Sequence, residues 1–258
     1  MSILSAILLA VLQGLTEFLP VSSSGHLVLA GMILEVPRSD ISFEVVVHLG
    51  TLIAVIAVYC RNLIQLLGGC LRKEKSSLRM LGLLALASVP AGLAGFFLGG
   101  TVERAFGNPV LVSVMLLVTG FILYMTRFAD SLSKTAPGWR GSLLIGTAQA
   151  FALLPGISRS GATISCALFG GVRQKEAARF SFLLSVPAIL GAGLLKLGEI
   201  GDFIDPVIAL TGLIVSAAVG FLALKLLLRF LDNGKFSNFA WYCWSIGSAG
   251  LVYSILRG

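Results

Sequence analysis

Two short stretches of this sequence gather the side chains that can do chemistry. Residues 14–27 read GLTEFLPVSSSGHL and residues 154–163 read LPGISRSGAT. Between them they hold the ionisable groups Glu17, His26 and Arg159 and the hydroxyls of Ser22, Ser23, Ser24, Ser158, Ser160 and Thr163. Gln13 lies one helical turn before Glu17, so amide and carboxylate share a helix face, where Glu17 can bind a divalent cation with help from Gln13. His26 has the chemistry of a general base or a nucleophile, and Ser23 is the nearest hydroxyl for it to activate. Each serine cluster immediately precedes a short apolar run, at the expected start of a helix, where free N–H groups and the helix dipole favour an anion. Gly25 and Gly161 permit close backbone approach, and Arg159 adds a planar, permanently charged fork suited to phosphate oxygens. Glu17, Ser23, His26 and Arg159 are therefore the candidate catalytic groups. Ser22, Ser24, Gly25, Ser158, Ser160, Gly161 and Thr163 are the candidate phosphate contacts, and Glu17 with Gln13 the candidate metal ligands.

Plainer explanations compete with these. Serine is a preferred N-cap, although capping alone needs one serine per cluster. A buried Glu17–Arg159 pair can fasten two segments without chemistry. His48, inside FEVVVHLG, reads as a satisfied helix-packing residue, and Glu44 as a solvated helix start. Cys60, Cys70, Cys166 and Cys243 show no CxxC or Cys/His spacing and read as packing residues. Gly92, Gly95, Gly99 and Gly100 form a small-residue face suited to helix contacts, within the molecule or at a homodimer seam.

The elements that must position these residues are membrane helices. Of 258 residues 57% are hydrophobic and 12% charged, and the mean hydropathy is +0.96, values that exclude a soluble domain. Helix-length apolar runs without ten-residue alternation exclude an outer-membrane barrel. The first basic residue is Arg38, so the first apolar segment lacks the basic flank of a signal peptide and is expected to stay in the protein. The net charge of +7 sits in short loops between apolar segments. That distribution points to topology and anionic lipid headgroups, not to nucleic acid.

Apolar segments fall near 3–16, 23–34, 43–60, 80–99, 109–126, 141–154, 161–172, 180–197, 207–228 and 237–256. Six are long enough to span, and the other four form two pairs, each joined by one of the polar breaks. Short segments interrupted by Pro and Gly in corresponding places predict re-entrant hairpins whose tips lie inside the membrane. Gln13 and Ser22-x-Ser24-Gly25 recur 136 residues later as Gln149 and Ser158-x-Ser160-Gly161. The expected fold is thus an all-α polytopic membrane protein, a single domain over 1–258, with six transmembrane helices and two re-entrant hairpins arranged as an inverted-topology repeat. The first repeat covers 1–127 with its hairpin at about 3–34, and the second 140–258 with its hairpin at about 141–172.

Connections 61–79, 127–140, 173–179 and 225–235 hold most of the Lys and Arg and are expected in the cytoplasm. The connections carrying Glu35, Asp40, Glu44, Glu103, Glu199, Asp202 and Asp205 then face outward. The first hairpin enters from outside and the second from the cytoplasm, so both tips approach the bilayer middle.

At these residues the sequence resembles the undecaprenyl-diphosphatase family, also called bacitracin-resistance proteins. The family signatures are an (E/Q)xxxE segment followed by a Pro-Val-Ser-Ser-x-Gly-His stretch, and a PGxSRSxxT segment. Here they read QGLTEFLPVSSSGH (13–26) and PGISRSGAT (155–163). The likeness extends to FEVVVHLGTLIAV and FSFLLSVPAILGA and runs the length of the chain. It implies hydrolysis of a membrane-embedded polyprenyl diphosphate to the monophosphate and inorganic phosphate, with a divalent cation (Mg2+ or Ca2+). It places that reaction at the outward face of the cytoplasmic (inner) membrane, where it recycles the lipid carrier for cell-wall polysaccharide and lowers sensitivity to bacitracin. By position Glu17, Ser23, His26 and Arg159 match residues the family ties to catalysis, while Gln13 takes the amide alternative at the first motif position. In the mechanism this suggests, Arg159 and the hairpin N–H groups hold the diphosphate, Glu17 organises the cation, and His26 activates Ser23 or attacks phosphorus itself. The rival class is a transporter or flippase for a phosphorylated lipid or other anion, which uses the same inverted repeats but needs no nucleophile. The type 2 phosphatidic acid phosphatases share SGH and SR pieces but require a His six positions after the Arg, where Ser165 stands.

Overall fold

The computed structural model describes residues 1–34, 41–129, 133–196, 205–233 and 235–257. Among them the ordered elements are helices, joined at one point by an isolated bridge between Lys134 and Val172. In chain order they are α1 (Ile3–Phe18), α2 (Ser23–Ile33), α3 (Ile41–Leu71), α4 (Lys75–Phe106), α5 (Pro109–Met125), α6 (Trp139–Phe151), α7 (Arg159–Phe169), α8 (Gln174–Lys196), α9 (Pro206–Asn233) and α10 (Phe239–Arg257). Six helices, α3, α4, α5, α8, α9 and α10, are long and apolar enough to cross a membrane. The 16, 11, 13 and 11 residues of α1, α2, α6 and α7, at about 1.5 Å each, fall short of a hydrocarbon core roughly 30 Å thick.

Local chemistry explains where the short helices stop. Pro20 bars helical geometry at Leu19, which is extended (φ −61°, ψ 143°) and ends α1. Ser22 then takes a left-handed conformation (φ 68°) and caps α2, its hydroxyl accepting from the Gly25 N–H at 3.3 Å. The second tip turns at Pro155–Gly156, with Gly156 at φ +96°. A side chain is barred there twice over, because a Cβ on Gly156 would lie 2.3 Å from the Val112 carbonyl oxygen. Ser158 caps α7 as Ser22 caps α2, accepting from Gly161 N at 3.0 Å.

Two spans run longer than the apolar segments that announced them. α3 continues past residue 60 to Leu71, with non-helical dihedrals at Tyr59, and α4 begins at Lys75. The helix carries on through the polar residues Arg61, Asn62 and Gln65, and the connection expected over 61–79 shrinks to a turn around Lys73 (φ 57°). Glu35, Asp40, Glu199 and Asp202 of the acidic connections lie outside the described residues.

The hairpins pack against the spans along one side and keep apolar residues such as Leu4, Leu8, Leu144 and Phe151 exposed on the other. α1 packs on α9 and α3, α6 on α4 and α7, and α7 on α8 and α5. Without a hydrophobic drive between helices in lipid, close approach depends on small residues. Gly146 shows this, since a Cβ there would come 2.3 Å from the Ala87 carbonyl oxygen of α4. Phe18 of α1, Ile164 of α7, Phe182 and Leu184 of α8 and Leu224 of α9 form one fully buried cluster, with Phe18 and Phe182 edge-to-face at 5.8 Å. By contrast a Cβ at Gly92, Gly95, Gly99 or Gly100 would meet nothing within 4 Å among the described residues. The contacts expected for that face within the molecule are absent among the described residues.

Candidate functional site

The two tips meet, and Glu17 is where they meet. It is buried near the end of α1, and its carboxylate is shared between the hairpins. Oε2 accepts from the Ser23 hydroxyl at 2.6 Å and from Gln13 Nε2 at 3.1 Å, both of the first hairpin. Oε1 accepts from Arg159 Nη2 of the second hairpin at 2.8 Å. His48 Nε2, from α3, lies 3.7 Å from Oε2. A buried carboxylate between a hydroxyl and a guanidinium has its charge compensated and its position fixed from two sides.

The expected phosphate contacts divide in two. Ser22 and Ser158 are the helix caps, so their hydroxyls are already engaged. They also reach Ser24 at 3.2 Å and Ser160 at 3.1 Å, the same hydroxyl pair in each hairpin. Ser160 Oγ donates to the Leu19 carbonyl across the tips at 3.2 Å, and Thr163 Oγ1 lies 2.6 Å from Ser181 Oγ of α8. These bonds hold the tips together. A Cβ on Gly25 would meet Gly156 Cα at 3.2 Å, so its close approach is to the other hairpin. At Gly161 a Cβ would instead meet Ser158 of its own cap at 3.0 Å. The N–H groups left free of intrahelical bonds for an anion are those of Ser23 and Ser24, and of Arg159 and Ser160.

The pairing of His26 with Ser23 is replaced by another. The Ser23 hydrogen goes to Glu17, while His26 Nδ1 lies 2.7 Å from the Ser22 carbonyl and Nε2 2.9 Å from the Tyr242 hydroxyl of α10. A carbonyl only accepts, so Nδ1 carries the hydrogen and Nε2 accepts from Tyr242, whose ring stacks on the imidazole at 5.6 Å. His48 differs from its expected role as a packing residue. Its Nδ1 bonds the Glu44 carbonyl at 2.7 Å, but its side chain is 31% exposed and its other nitrogen faces Glu17. The signal available in the sequence was an imidazole placed in an otherwise apolar helix.

Three further groups escaped the sequence reading. Thr119 of α5 holds the second tip, donating to the Gly156 carbonyl at 2.8 Å and accepting from Ser158 N at 3.1 Å. Ser181 backs Thr163, and its carbonyl lies 3.5 Å from Arg159 Nη1. Tyr242 comes from the last helix, far from either motif. Each is a single polar residue in an apolar run, a pattern that many structural Ser and Thr share. All four cysteines are free; Cys243 is buried and donates to the Pro20 carbonyl at 3.6 Å, whereas Cys60 is exposed and so is not the packing residue expected.

A divalent cation was expected at Glu17 and Gln13, and the donor set can be tested for it. Among the described residues no three His, Cys, Asp or Glu side chains cluster to hold a metal. Gln13 Oε1, however, is buried without a hydrogen-bond partner, an oxygen acceptor on the residue beside the Glu17 carboxylate. Carboxylate and amide oxygens suit a divalent ion that takes its remaining ligands from phosphate or water, so these residues fit it.

Comparison with known proteins follows this geometry. The family described as "Bacitracin resistance protein BacA" matches residues 6–249. The chain is 41% identical over 263 residues to an undecaprenyl-diphosphatase of Pelotomaculum thermopropionicum, covering 100% of this chain and 98% of the relative. It is 43% identical over 267 residues to one of Thermomicrobium roseum, covering 96% of each, and 34% identical over 275 residues to one of Methanosphaera stadtmanae, covering 99% of each.

Proposed function

The chain belongs to the bacitracin resistance protein BacA family, and we propose that it cleaves its substrate with Ser23 as nucleophile and Glu17 as the base that activates it. It is an enzyme, a multi-pass membrane undecaprenyl-diphosphatase, and it hydrolyses undecaprenyl diphosphate to the monophosphate and inorganic phosphate. The observation that carries the mechanism is the Glu17 carboxylate held between the Ser23 hydroxyl at 2.6 Å and the Arg159 guanidinium at 2.8 Å.

As the terminal phosphorus reaches Ser23 Oγ, the hydroxyl hydrogen passes to Glu17 Oε2 and the Oγ–P bond forms. The bridging P–O bond breaks opposite, and its electron pair leaves with the lipid monophosphate. Glu17 passes that proton to the departing lipid monophosphate; water then attacks the phosphoserine and gives a proton to Glu17, and the Oγ–P bond breaks with its electron pair on Oγ, which takes the proton back from Glu17 as phosphate departs. Arg159 keeps Glu17 charged and in place through one nitrogen and has further N–H groups for the phosphate oxygens. The free first-turn amides of α2 and α7 add donors of the same sign, because both helix starts converge on one place. A divalent cation at Glu17 and Gln13, when bound, neutralises charge on the transferred phosphoryl group. His26 acts by position: bonded to the Ser22 carbonyl and the Tyr242 hydroxyl, it fixes the turn that carries Ser23.

The site opens to the outer side of the cytoplasmic membrane in this reading, because Arg61, Arg72, Lys73, Lys75 and Arg79 lie at one end of the α3–α4 pair and basic residues are retained in the cytoplasm. The halves are an inverted repeat on the same reasoning. A second copy of the chain, if one binds, has the open Gly92–Gly100 face of α4 available.

Trapping the covalent intermediate tests the mechanism. Undecaprenyl diphosphate labelled in its terminal phosphate, mixed with detergent-purified protein and quenched in dodecyl sulfate at neutral pH, where phosphoserine and phosphohistidine both survive, is expected to leave label on Ser23. The label is lost in Ser23→Ala and retained in His26→Ala. Label on His26, or phosphate release that persists in Ser23→Ala, overturns Ser23 as nucleophile.

A further inference from the structure

His48 touches the site but has no part in the mechanism above. Its Nδ1 lies 2.7 Å from the Glu44 carbonyl oxygen, so Nδ1 carries the ring hydrogen of the neutral imidazole and Nε2 presents a lone pair. That lone pair faces Glu17 Oε2 across 3.7 Å. With the ring uncharged, these two electron-rich atoms repel one another unless positive charge lies between them. The gap is one that two donors, each about 2.1 Å from a shared ion, span at an angle of about 120°. Histidine ligands typically donate their second ring N–H to a backbone carbonyl or carboxylate, and the Glu44 carbonyl fills that place here. A third donor is close by in Gln13 Oε1, buried and unpartnered on the residue that bonds the same carboxylate oxygen. Arg159 occupies the other oxygen, Oε1, and so does not fill the gap.

We propose that His48 Nε2 is a ligand of the divalent cation, completing with Glu17 and Gln13 a set of one nitrogen and two oxygen donors on α1 and α3. The proposal rests on the reading that a cation binds at Glu17, and it extends that reading to metal choice. An imidazole in the set moves the preference away from Mg2+ and Ca2+, which favour oxygen, toward first-row ions such as Mn2+ or Zn2+. The side chain's 31% exposure leaves the ion open to phosphate oxygens.

Mn2+ alone is the probe, titrated into detergent-purified, full-length protein and followed by electron paramagnetic resonance with pulsed detection of nitrogen coupling. Wild type is expected to bind one Mn2+ with the coupling of a ligated ring nitrogen. His48→Ala and His48→Gln are expected to lose that coupling and to weaken Mn2+ binding at least ten-fold, while Mg2+ affinity moves less than about three-fold. Glu17→Gln is expected to lose both ions. An unchanged elution profile and melting temperature show that each variant is folded. Mn2+ bound without nitrogen coupling, or with equal affinity in a folded His48→Ala protein, overturns the ligand role and leaves the cation reading standing. Binding of neither Mn2+ nor Mg2+ by wild type overturns both.

Discussion

The two hairpins are built alike and equipped differently. Each stops a short helix at a Pro-containing break, caps the next with a serine that bonds the third amide onward, and sets a second serine hydroxyl beside the first. At the 136-residue offset, though, Glu17 stands against Leu153, Ser23 against Arg159 and His26 against Ala162. Carboxylate, hydroxyl and imidazole are on one side and the guanidinium on the other. The matching frames thus supply two serine-capped helix starts, and the residues that differ between them supply complementary charges. Neither hairpin carries a complete site.

Exchange at matched positions sharpens this contrast. Ser23→Ala is expected to reduce phosphate release to background, a loss of at least about 10³-fold for a removed nucleophile, with no change in elution profile. The next comparison is between the paired glutamines. Gln13→Leu removes a donor from Glu17 and is expected to lower kcat/KM by about ten- to a hundred-fold. Gln149→Leu replaces a buried amide with no hydrogen-bond partner among the described residues. It is expected to leave the rate within two-fold and to hold or raise stability by up to about 1 kcal/mol in thermal unfolding. Gly25→Ala forces a methyl against Gly156 Cα and Leu116, both at 3.2 Å, and is expected to part the tips and lower kcat by about ten-fold at nearly constant KM. The smallest effect belongs to the shared frame. Ser22→Ala and Ser158→Ala each remove a cap and are expected to cost about 1 kcal/mol apiece in thermal unfolding. Unequal costs would show that the matching caps do different jobs.

The fold was legible because hydropathy and chain breaks are local. Pro20, Pro155 and Gly156 marked the tips, and run length separated spans from hairpins. Helix ends were less legible, since Arg61, Asn62 and Gln65 interrupt the apolar run and α3 nevertheless continues to Leu71. Glu17, Ser23 and Arg159 stood out because charge and clustered hydroxyls are costly in an apolar segment. The Glu17–Arg159 pair, 142 positions apart in sequence, was legible only as a structural alternative to chemistry, and the Ser23–Glu17 bond was not legible at all. Nearness in sequence suggested His26 for Ser23, yet one helical turn carries the imidazole round toward Tyr242 instead. His48 and Thr119 were hidden for the opposite reason: lone polar residues in apolar helices usually satisfy themselves on their own backbone, and His48 does that with one nitrogen only.

The most direct measurement is a double-mutant cycle on kcat/KM for phosphate release from undecaprenyl diphosphate, using Glu17→Gln, Arg159→Gln and the pair together. A site assembled across the hairpins requires each single variant to fall at least about 10³-fold and the double variant to fall no further than the worse single. Independent losses that multiply in the double variant, or either single variant keeping a tenth of the wild-type rate, would contradict a shared Glu17–Arg159 centre.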